Sequence, residues 1–368
     1  MFIPGLSEGG VNMKQGIIKL PPNRVRRNYT GGAGIDRLHG NALCEDTNQP
    51  EEWVGSVVSA NNPGMEYISE EGQAFVFTGN GRVLFKELLL SEKEFYLGRE
   101  SLREPGVNMS FLFKILDSSM RLHVQAHPTA DFARKYLASP YGKLECYYIL
   151  SVREGIKPYI RLGFQHAPSK AEWKRIIEEQ DIGAMDRCFE KIPIEVGQVW
   201  YIPGGMPHAI GEGITMLEIM EPSDLVVRCE FEREGVVVPP EARFMGRGLD
   251  FCLDIFDYTQ YSADEIREKS MVKPKLLEVT EQYTAEQLVG TGLTSCFEVN
   301  RLRINGEMTY HKKPIPQLGV TCNGILRFKA DGQELTLKRG DSFFLAAGLS
   351  ECTIENITDE IAEVCLVF

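Results

Sequence analysis

Short segments with hydrophobic residues at alternate positions recur along the chain and predict a mainly β protein. Residues 121–127 alternate by twos, and residues 145–152 are rich in β-branched and aromatic side chains. Further strand-like segments follow at residues 199–202 and 213–220, joined by turns rich in Gly and Pro. Short strands at this spacing are typical of a β-sandwich or jelly roll.

Three segments have helical spacing instead. Residues 168–190 interrupt the strands with a helical pattern, and Ser169 with Glu172 three positions later predicts an N-terminal capping box. Residues 84–97 carry apolar side chains three and four positions apart, and a helix is predicted near 241–256. Residues 1–40 are predicted to be extended, with Gly and Pro at many positions and a possible strand at 16–20.

A twelve-residue pattern occurs twice, at residues 194–205 and 337–348. Both copies read apolar-x-x-Gly-polar-x-aromatic-aromatic-apolar-small-small-Gly. This turn-then-strand element is found in cupin-type jelly rolls, so the chain is predicted to contain two related barrels. We expect a catalytic N-terminal domain at 1–235 with the helical insertion at 168–190, a mixed connecting segment at 236–290, and a C-terminal barrel at 291–368. No His follows the second copy, which predicts that the C-terminal barrel is metal-free.

Composition and charge narrow the classes of function. The 368 residues are 43% hydrophobic and 25% charged, which is ordinary for a globular protein, and the formal net charge is −12. This charge disfavours bulk binding to nucleic acid or to an anionic membrane. The nine cysteines are scattered without a CxxC pair, as expected for free thiols in a reducing cytosol, and a cytoplasmic enzyme or binding protein is therefore predicted. The sequence carries no signal for the oligomeric state.

Four residues can supply a metal site. On a strand, Gln125 and His127 point to the same face, about 7 Å apart at the backbone. Glu145 opens the next strong strand, and His208 follows a Gly-Gly-Met-Pro turn. Two imidazoles, a carboxylate and an amide oxygen suit Zn²⁺, Fe²⁺, Mn²⁺ or Co²⁺, of which Zn²⁺, one per chain, is the preferred prediction. Spacing alone leaves His123, which has the same parity, as an alternative ligand.

Three cations lie among apolar neighbours in the same region: Lys114, Lys143 and Arg228. Buried cations need partners, and an internal ion pair with Glu145 or Glu218 is one interpretation. The other is that they bind an anionic substrate such as a phosphate. The residues alone leave both open.

Several motifs, in a fixed order, resemble those of the type I phosphomannose isomerases, zinc-dependent enzymes of the cupin superfamily. The matching pieces are NYTGGAGIDRLHG, EEWVGS, LFKIL, QAHP, GKLE, VWYIPGGMPHAIGEGI and LEIMEPSDLVVR, spanning roughly residues 20–230. The resemblance implies that Gln125, His127, Glu145 and His208 are zinc ligands. It also implies that Lys114, Lys143 and Glu218 are active-site residues and that Arg228 is the catalytic arginine. Thr129 departs from the family pattern, which often has an acidic residue directly after QAHP.

The resemblance implies interconversion of mannose 6-phosphate and fructose 6-phosphate through an enediolate. The substrate would then be a small sugar phosphate, with no nucleic acid or membrane partner. Three other functions stay open: an isomerase acting on a different sugar or sugar phosphate, a non-catalytic sugar-binding cupin, and a metal-dependent cupin oxygenase. The oxygenase would normally show two closely spaced His and a carboxylate in one short motif, and this chain does not.

Overall fold

A computed structural model describes residues 14–79 and 81–368 of the chain. In chain order the strands are β1 Ile17–Leu20, β2 Arg24–Val25, β3 Glu51–Trp53, β4 Phe75–Thr78, β5 Gly81–Leu84, β6 Leu112–Ser118, β7 Gln125–Ala126, β8 Glu145–Val152, β9 Tyr159–Leu162, β10 Ile192–Pro193, β11 Val199–Ile202, β12 His208–Ile210, β13 Ile214–Met220, β14 Val227–Arg228, β15 Glu232–Arg233, β16 Val236–Val237, β17 Met271–Val272, β18 Lys275–Val279, β19 Tyr283–Val289, β20 Val299–Ile304, β21 Glu307–His311, β22 Gln317–Asn323, β23 Ile325–Ala330, β24 Gln333–Lys338, β25 Ser342–Leu345, β26 Glu351–Asn356 and β27 Ala362–Val367.

Helices are few and short. They are α1 Ala33–His39, α2 Phe85–Ser91, α3 Lys93–Leu97, α4 Ala130–Tyr136, α5 Lys170–Glu179, α6 Ile182–Arg187, α7 Leu249–Cys252 and α8 Ala263–Ser270, with 3-10 turns at Arg99–Arg103, Pro240–Ala242 and Leu253–Ile255. The Ser169 side chain accepts a hydrogen bond from the Glu172 N–H, so the Ser169 half of the predicted capping box is confirmed. None of the helices in the described part of the chain is long and apolar enough to cross a membrane.

Two pairs of antiparallel sheets form the architecture. In the N-terminal half, a seven-stranded sheet (β17-β11-β8-β13-β6-β3-β2) faces a five-stranded one (β10-β9-β12-β7-β14) across a core that includes Tyr147, Trp200 and Ile210. In the C-terminal half, a seven-stranded sheet (β1-β25-β22-β27-β20-β19-β18) faces a four-stranded one (β21-β26-β23-β24) across Phe328, Phe343 and their neighbours. The predicted mainly β fold with two jelly-roll units is confirmed.

The two seven-stranded sheets pack back to back. Side chains from their outer faces, including Phe113 and Leu217 from one and Val320 and Phe344 from the other, share a single apolar cluster. The helical insertion covers the outer face of the five-stranded sheet, where Trp173 packs near Ala126 and Val227. The sheet that carries Gln125 and His208, two of the four candidate metal ligands, is therefore held between a core on one face and helices on the other.

The sequence repeat corresponds to a structural repeat. The strand order β11-β8-β13-β6 in one half matches β25-β22-β27-β20 in the other, and β10-β9-β12-β7 matches β24-β23-β26-β21. The two copies of the twelve-residue pattern place β11 and β25 at corresponding edges of these series. The halves thus share an arrangement of eight strands, to which the first half adds β14 and the helical insertion.

Several predicted elements differ in extent. The helix predicted at 84–97 is broken at Glu92, whose φ of −139° and ψ of 57° are not helical. The single helix predicted near 241–256 is wrong, because the segment contains only the short α7 and two 3-10 turns. The strand predicted at 121–127 forms ladder pairs only at Gln125 and Ala126, since Pro128 ends it.

The first strand of the chain belongs to the sheet of the C-terminal half. β1 pairs with β25 and so belongs to the C-terminal sheet, and β18 and β19 extend the other side of that sheet. The predicted domain boundaries near 235 and 290 stay predictions. Residues 1–13 of the predicted extended N-terminal segment lie outside the described residues.

Candidate metal centre and active site

Three of the candidate residues lie side by side on neighbouring strands. Gln125 in β7 is directly opposite His208 in β12 and directly opposite Arg228 in β14. Side chains at directly opposite positions of antiparallel strands point to the same face of the sheet. The register therefore places an amide, an imidazole and a guanidinium in one row, although 103 positions separate Gln125 from Arg228 in the numbering of the chain.

A buried group of ligand atoms lies beside this row. The imidazole nitrogens of His127 and His208 and a carboxylate oxygen of Glu145 all lie within 4.8 Å of one another, and each of the three residues is buried. His127 Nε2 is 3.1 Å from Glu145 Oε1, and His208 Nε2 is 3.6 Å from Glu145 Oε2. The Gln125 amide nitrogen is 3.4 Å from His208 Nε2, which puts the amide group at the edge of the same cluster.

The hydrogen bonds fix which imidazole nitrogens face the cluster. His127 Nδ1 donates to the Leu225 carbonyl at 2.8 Å, and His208 Nδ1 donates to the Met206 carbonyl at 3.0 Å. With the protons on Nδ1, each Nε2 presents a lone pair to Glu145. His127 Nε2 and Glu145 Oε1 are both buried, and neither has a hydrogen-bond partner among the described residues.

Two buried lone pairs 3.1 Å apart repel each other unless a cation lies between them. Burial, reinforced by the nearby Lys143 ammonium, lowers the pKa of His127 to about 3, so its imidazole is neutral at ordinary pH. Burial opposes ionisation of Glu145, but His127 and Lys143 hold the pKa of the carboxyl well below its usual range. Neutral imidazoles and an ionised carboxylate are the protonation states in which these groups bind metal, so the residues fit a metal ion.

Glycines in two loops hold the His127 segment in place. A Cβ atom on Gly204 would lie 2.7 Å from the Pro128 carbonyl oxygen, and one on Gly142 would lie 2.5 Å from the Ala130 amide nitrogen. The Gly205 N–H donates to the His127 carbonyl at 2.7 Å. The GKLE and IPGG segments therefore press on the QAHP segment from two sides, and no larger residue fits at either contact.

Next to the candidate ligands lies a buried row of alternating charges: Glu218, Lys114 and Glu51. Lys114 Nζ donates to Glu218 Oε2 at 2.9 Å and lies 3.7 Å from Glu51 Oε2. Burial raises the pKa of Glu218, and the charges on Glu145 and Glu51 raise it further against the effect of Lys114. Glu218 is thus a carboxyl group whose proton affinity lies above the ordinary value.

Glu51 was missed by the sequence analysis as a site residue. Its carboxylate accepts hydrogen bonds from Tyr29 Oη and Trp53 Nε1, both at 2.7 Å, and from Arg27 Nε at 3.0 Å. Burial opposes its charge, but Arg27 and Lys114 outweigh this and lower the pKa of Glu51 to about 2. In the sequence, Glu51 lies two positions before Trp53 in EEWVGS, which places both side chains on the same face of a strand. The motif was recognised, but no role in the site was predicted for Glu51.

Arg228 and Lys143 complete the charged surface. Arg228 Nη1 donates to the Ala242 carbonyl at 2.6 Å, and within the described ranges Arg228 makes no ion pair with a carboxylate. Burial, with repulsion from Arg27, lowers the pKa of Arg228 to about 10. Lys143 Nζ is 3.3 Å from Glu145 Oε1. An arginine without a carboxylate partner can bind an anion that enters from solvent.

One cleft brings the predicted residues together. Its lining includes Lys114, Gln125, Lys143, Glu145, Glu218 and Arg228, with Arg27 and Glu51 from the N-terminal segment. His127 and His208 lie behind this surface and are almost fully buried. His123 also lines the cleft, but its Nε2 lies 3.2 Å from the Val236 carbonyl and it is not part of the buried ligand group.

Comparison with known proteins gives matches in both halves of the chain. Residues 293–365 match the family model described as mannose-6-phosphate isomerase, cupin domain. A probable mannose-6-phosphate isomerase, GmuF, from Bacillus subtilis (strain 168) is 30% identical over 250 residues, which are 68% of this chain and 73% of that protein.

Solved structures agree over nearly the whole fold. The mannose 6-phosphate isomerase from Bacillus subtilis aligns with a TM-score of 0.72 at 21% identity, covering 96% of this chain and 100% of the other. A zinc-bound mannose 6-phosphate isomerase aligns with a TM-score of 0.68 at 15% identity, covering 96% and 99%. At these identities the structures establish a shared fold.

Proposed function

The chain belongs to the mannose-6-phosphate isomerase family, and we propose that it interconverts mannose 6-phosphate and fructose 6-phosphate through an enediolate. The observation that carries the proposal is the cleft itself. It brings a buried His-Glu-His ligand group, a carboxyl of raised pKa and an arginine without a carboxylate partner to one surface. Each of these groups has a use in moving a proton between two neighbouring carbons.

We infer that the metal is zinc, one ion per chain, held by Gln125, His127, Glu145 and His208. When bound, the ion supplies a positive charge that stabilises negative oxygen in the reacting sugar. Two observations support the inference: the facing lone pairs of His127 and Glu145, and the Nδ1 hydrogen bonds that orient both imidazoles. Measuring the metal content of the purified chain tests it directly.

Glu218 is the candidate for proton transfer. In the aldose-to-ketose direction the base removes the proton from C2, the electron pair forms the C1=C2 double bond, and the C1 carbonyl oxygen becomes the negative oxygen of the enediolate. The O2 hydroxyl proton then passes to O1, the C2 carbonyl forms, and the same carbon-bound proton is delivered to C1. Burial raises the pKa of Glu218 toward the working pH, which favours both halves of this transfer. Lys114, 2.9 Å away, keeps the carboxylate in position and compensates its charge.

The three cations have distinct surroundings and therefore distinct proposed roles. Among the residues that the structure describes, Arg228 has no carboxylate partner, and it is assigned to the enediolate, whose negative charge its guanidinium stabilises. Lys143 lies at the mouth of the ligand group and is assigned to substrate contact. The phosphate of the substrate would be attracted by the same cationic surface.

Replacing Arg228 by Ala tests the central assignment. We expect kcat to fall by about 10²–10³-fold, as for the loss of one group that stabilises a developing oxyanion. The zinc content should not change, because Arg228 contacts none of the three buried ligands. The control is Arg187→Ala, at an exposed position of α6, which should leave both quantities unchanged.

Two outcomes would revise the proposal. If Arg228→Ala raises KM and leaves kcat intact, the guanidinium binds the phosphate instead of the enediolate. If turnover is normal, Arg228 has no part in the reaction. Assays with a panel of aldose and ketose phosphates, with and without chelator, distinguish the proposed substrate from a different sugar phosphate and from sugar binding without catalysis.

A further inference from the structure

A second cleft lies in the C-terminal half, far from the ligand group. It has a volume of about 530 Å³ and is lined by residues of β18 to β22 and by the C-terminal Phe368. Clefts of about 300–1,000 Å³ are typical of small-molecule sites. The proposed isomerase reaction makes no use of this cleft.

The cleft occupies the position that corresponds to the metal centre. Within the repeat, Ile202 and Leu345 are the ninth residues of the two copies. Ile202 pairs with Glu145, and Leu345 pairs with Gln317. Gln317 is therefore the counterpart of the metal-binding carboxylate.

The same register extends to the other ligands. If the repeat is continued beyond its twelve residues, Glu351 takes the position of His208. Glu351 pairs with His311, and His208 pairs with Gln125. His311 is therefore the counterpart of Gln125. Two residues further, Lys313 takes the position of His127. Three residues that line this cleft correspond to candidate metal ligands of the first half: His311, Lys313 and Gln317. Each of them differs in chemistry from the ligand in the corresponding position.

The replacements remove the capacity to bind a metal. An amide stands where the first half has a carboxylate, and an ammonium stands where it has an imidazole. Across the described residues, His127, Glu145 and His208 form the sole group of three or more such ligands. The charged side chains at the rim have partners of their own: Lys313 Nζ pairs with Glu298 at 2.8 Å, His311 Nδ1 lies 3.1 Å from Glu351, and the Glu278 carboxylate is hydrogen-bonded to Tyr283.

The second cleft contains the buried side-chain amide of Gln317, which lacks one of its hydrogen-bond partners among the described residues. Gln317 is fully buried, its Oε1 accepts from Tyr310 Oη at 3.1 Å, and its Nε2 has no partner in the described part of the chain. If the amide is turned over, Oε1 loses its partner instead, so one end stays unpaired in either orientation. Asn300 Oδ1, which lines the same cleft, is also buried without a partner. Buried polar groups of this kind need a ligand or water.

We propose that this cleft is a second binding site, for a small uncharged polyhydroxylated molecule such as a sugar or sugar alcohol. A hydroxyl group both accepts and donates, so one ligand can accept from Gln317 Nε2 and donate to Asn300 Oδ1. The lysine of the rim already pairs with Glu298 and the rim also carries the Glu278 carboxylate, so the cleft disfavours an anionic ligand. This proposal goes beyond the isomerase activity and does not depend on it.

The test is titration of the zinc-loaded full chain with sorbitol and with myo-inositol, followed by ligand-observed NMR and calorimetry. Saturating fructose 6-phosphate is present throughout, so that the first cleft is occupied. We expect saturable binding of at least one of the two probes, with one site per chain and a Kd of about 10 mM or tighter. Inorganic phosphate should not compete.

Gln317→Leu keeps the side-chain volume and removes the amide, and we expect it to weaken probe binding at least tenfold. Gln15→Leu makes the same change at an exposed position and should bind as the parent does. Asn300→Leu is the second variant and should also weaken binding. Three results overturn the proposal: no saturable binding of either probe, equal binding by the parent and both cleft variants, or displacement of the probe by inorganic phosphate.

Discussion

Lys114 offers the sharpest test of the electrostatics, because two buried carboxylates depend on it. Its ammonium is 4% exposed and lies 2.9 Å from Glu218 and 3.7 Å from Glu51. At an effective dielectric constant of about 20, Coulomb's law gives about 6 kcal/mol for the first pair and about 4.5 kcal/mol for the second. Removing three buried charges from water costs several kcal/mol for each ion and offsets most of this attraction.

The perturbation is Lys114→Met, which keeps the length of the side chain and removes its charge. Glu218 then has no cation within the row of alternating charges and Glu51 keeps only Arg27. We expect the free energy of unfolding to fall by about 3–5 kcal/mol, the usual cost of leaving a buried charge without its partner. The assay is urea unfolding followed by tryptophan fluorescence, to which Trp53, beside Lys114, contributes.

The double variant Lys114→Met with Glu218→Leu completes a thermodynamic cycle. Because both members of the pair are now apolar, we expect it to recover most of the lost stability while remaining inactive. Lys329→Met breaks an exposed pair with Glu355 and should change the free energy of unfolding by less than about 1 kcal/mol. The reasoning is refuted if Lys114→Met is as stable as the parent, or if the double variant loses the sum of the two single effects.

Three further predictions concern acid stability, loop packing and metal content. The folded-state pKa of Glu51 is lowered from 4.5 to about 2, so its contribution of about 3 kcal/mol is present above pH 4.5 and is lost as the pH falls toward 2. The difference in unfolding free energy between the parent and Glu51→Gln should therefore shrink over this range in acid titrations, and a constant difference would contradict the assignment. Gly204→Ala should lower zinc affinity at least tenfold, by competition with a chelating dye, whereas Gly292→Ala, with open space around its Cα, should not. His208→Ala should abolish both bound zinc by elemental analysis and turnover, and retention of one zinc per chain would show that His208 is not a ligand.

Several features of the fold and of the candidate site could be predicted from short segments of the sequence. The alternation at Gln125 and His127 and the opening of a strand at Glu145 are local features, and the structure places all three residues where the pattern predicts. The mainly β class, the N-cap at Ser169 and the repeat of two jelly rolls are likewise properties of short segments. The single helix predicted near 241–256 failed because Met245, Gly246 and Gly248 have positive φ values that a right-handed helix does not allow, so only the short α7 follows them.

Other features depend on contacts between distant segments. The row of Arg228, Gln125 and His208 exists only because three strands pair in one register. Glu51 joins the site because β3 lies beside β6, and its partners Arg27 and Tyr29 come from the N-terminal segment. The membership of β1 in the C-terminal sheet also has no local signal, since its sequence is compatible with any sheet edge.

The sequence by itself therefore determined the type of element at most positions and the tandem jelly rolls, and it predicted four residues as metal ligands. Hydrophobic periodicity and sequence motifs depend on residues that are neighbours in the chain, so they can be recognised from the sequence alone. Only the tertiary structure decided which lone pairs face each other, which cations remain without a carboxylate, and that Gln317 occupies the place of Glu145 in the second half. These depend on strand register and burial, which fix distances between residues that the chain itself holds far apart.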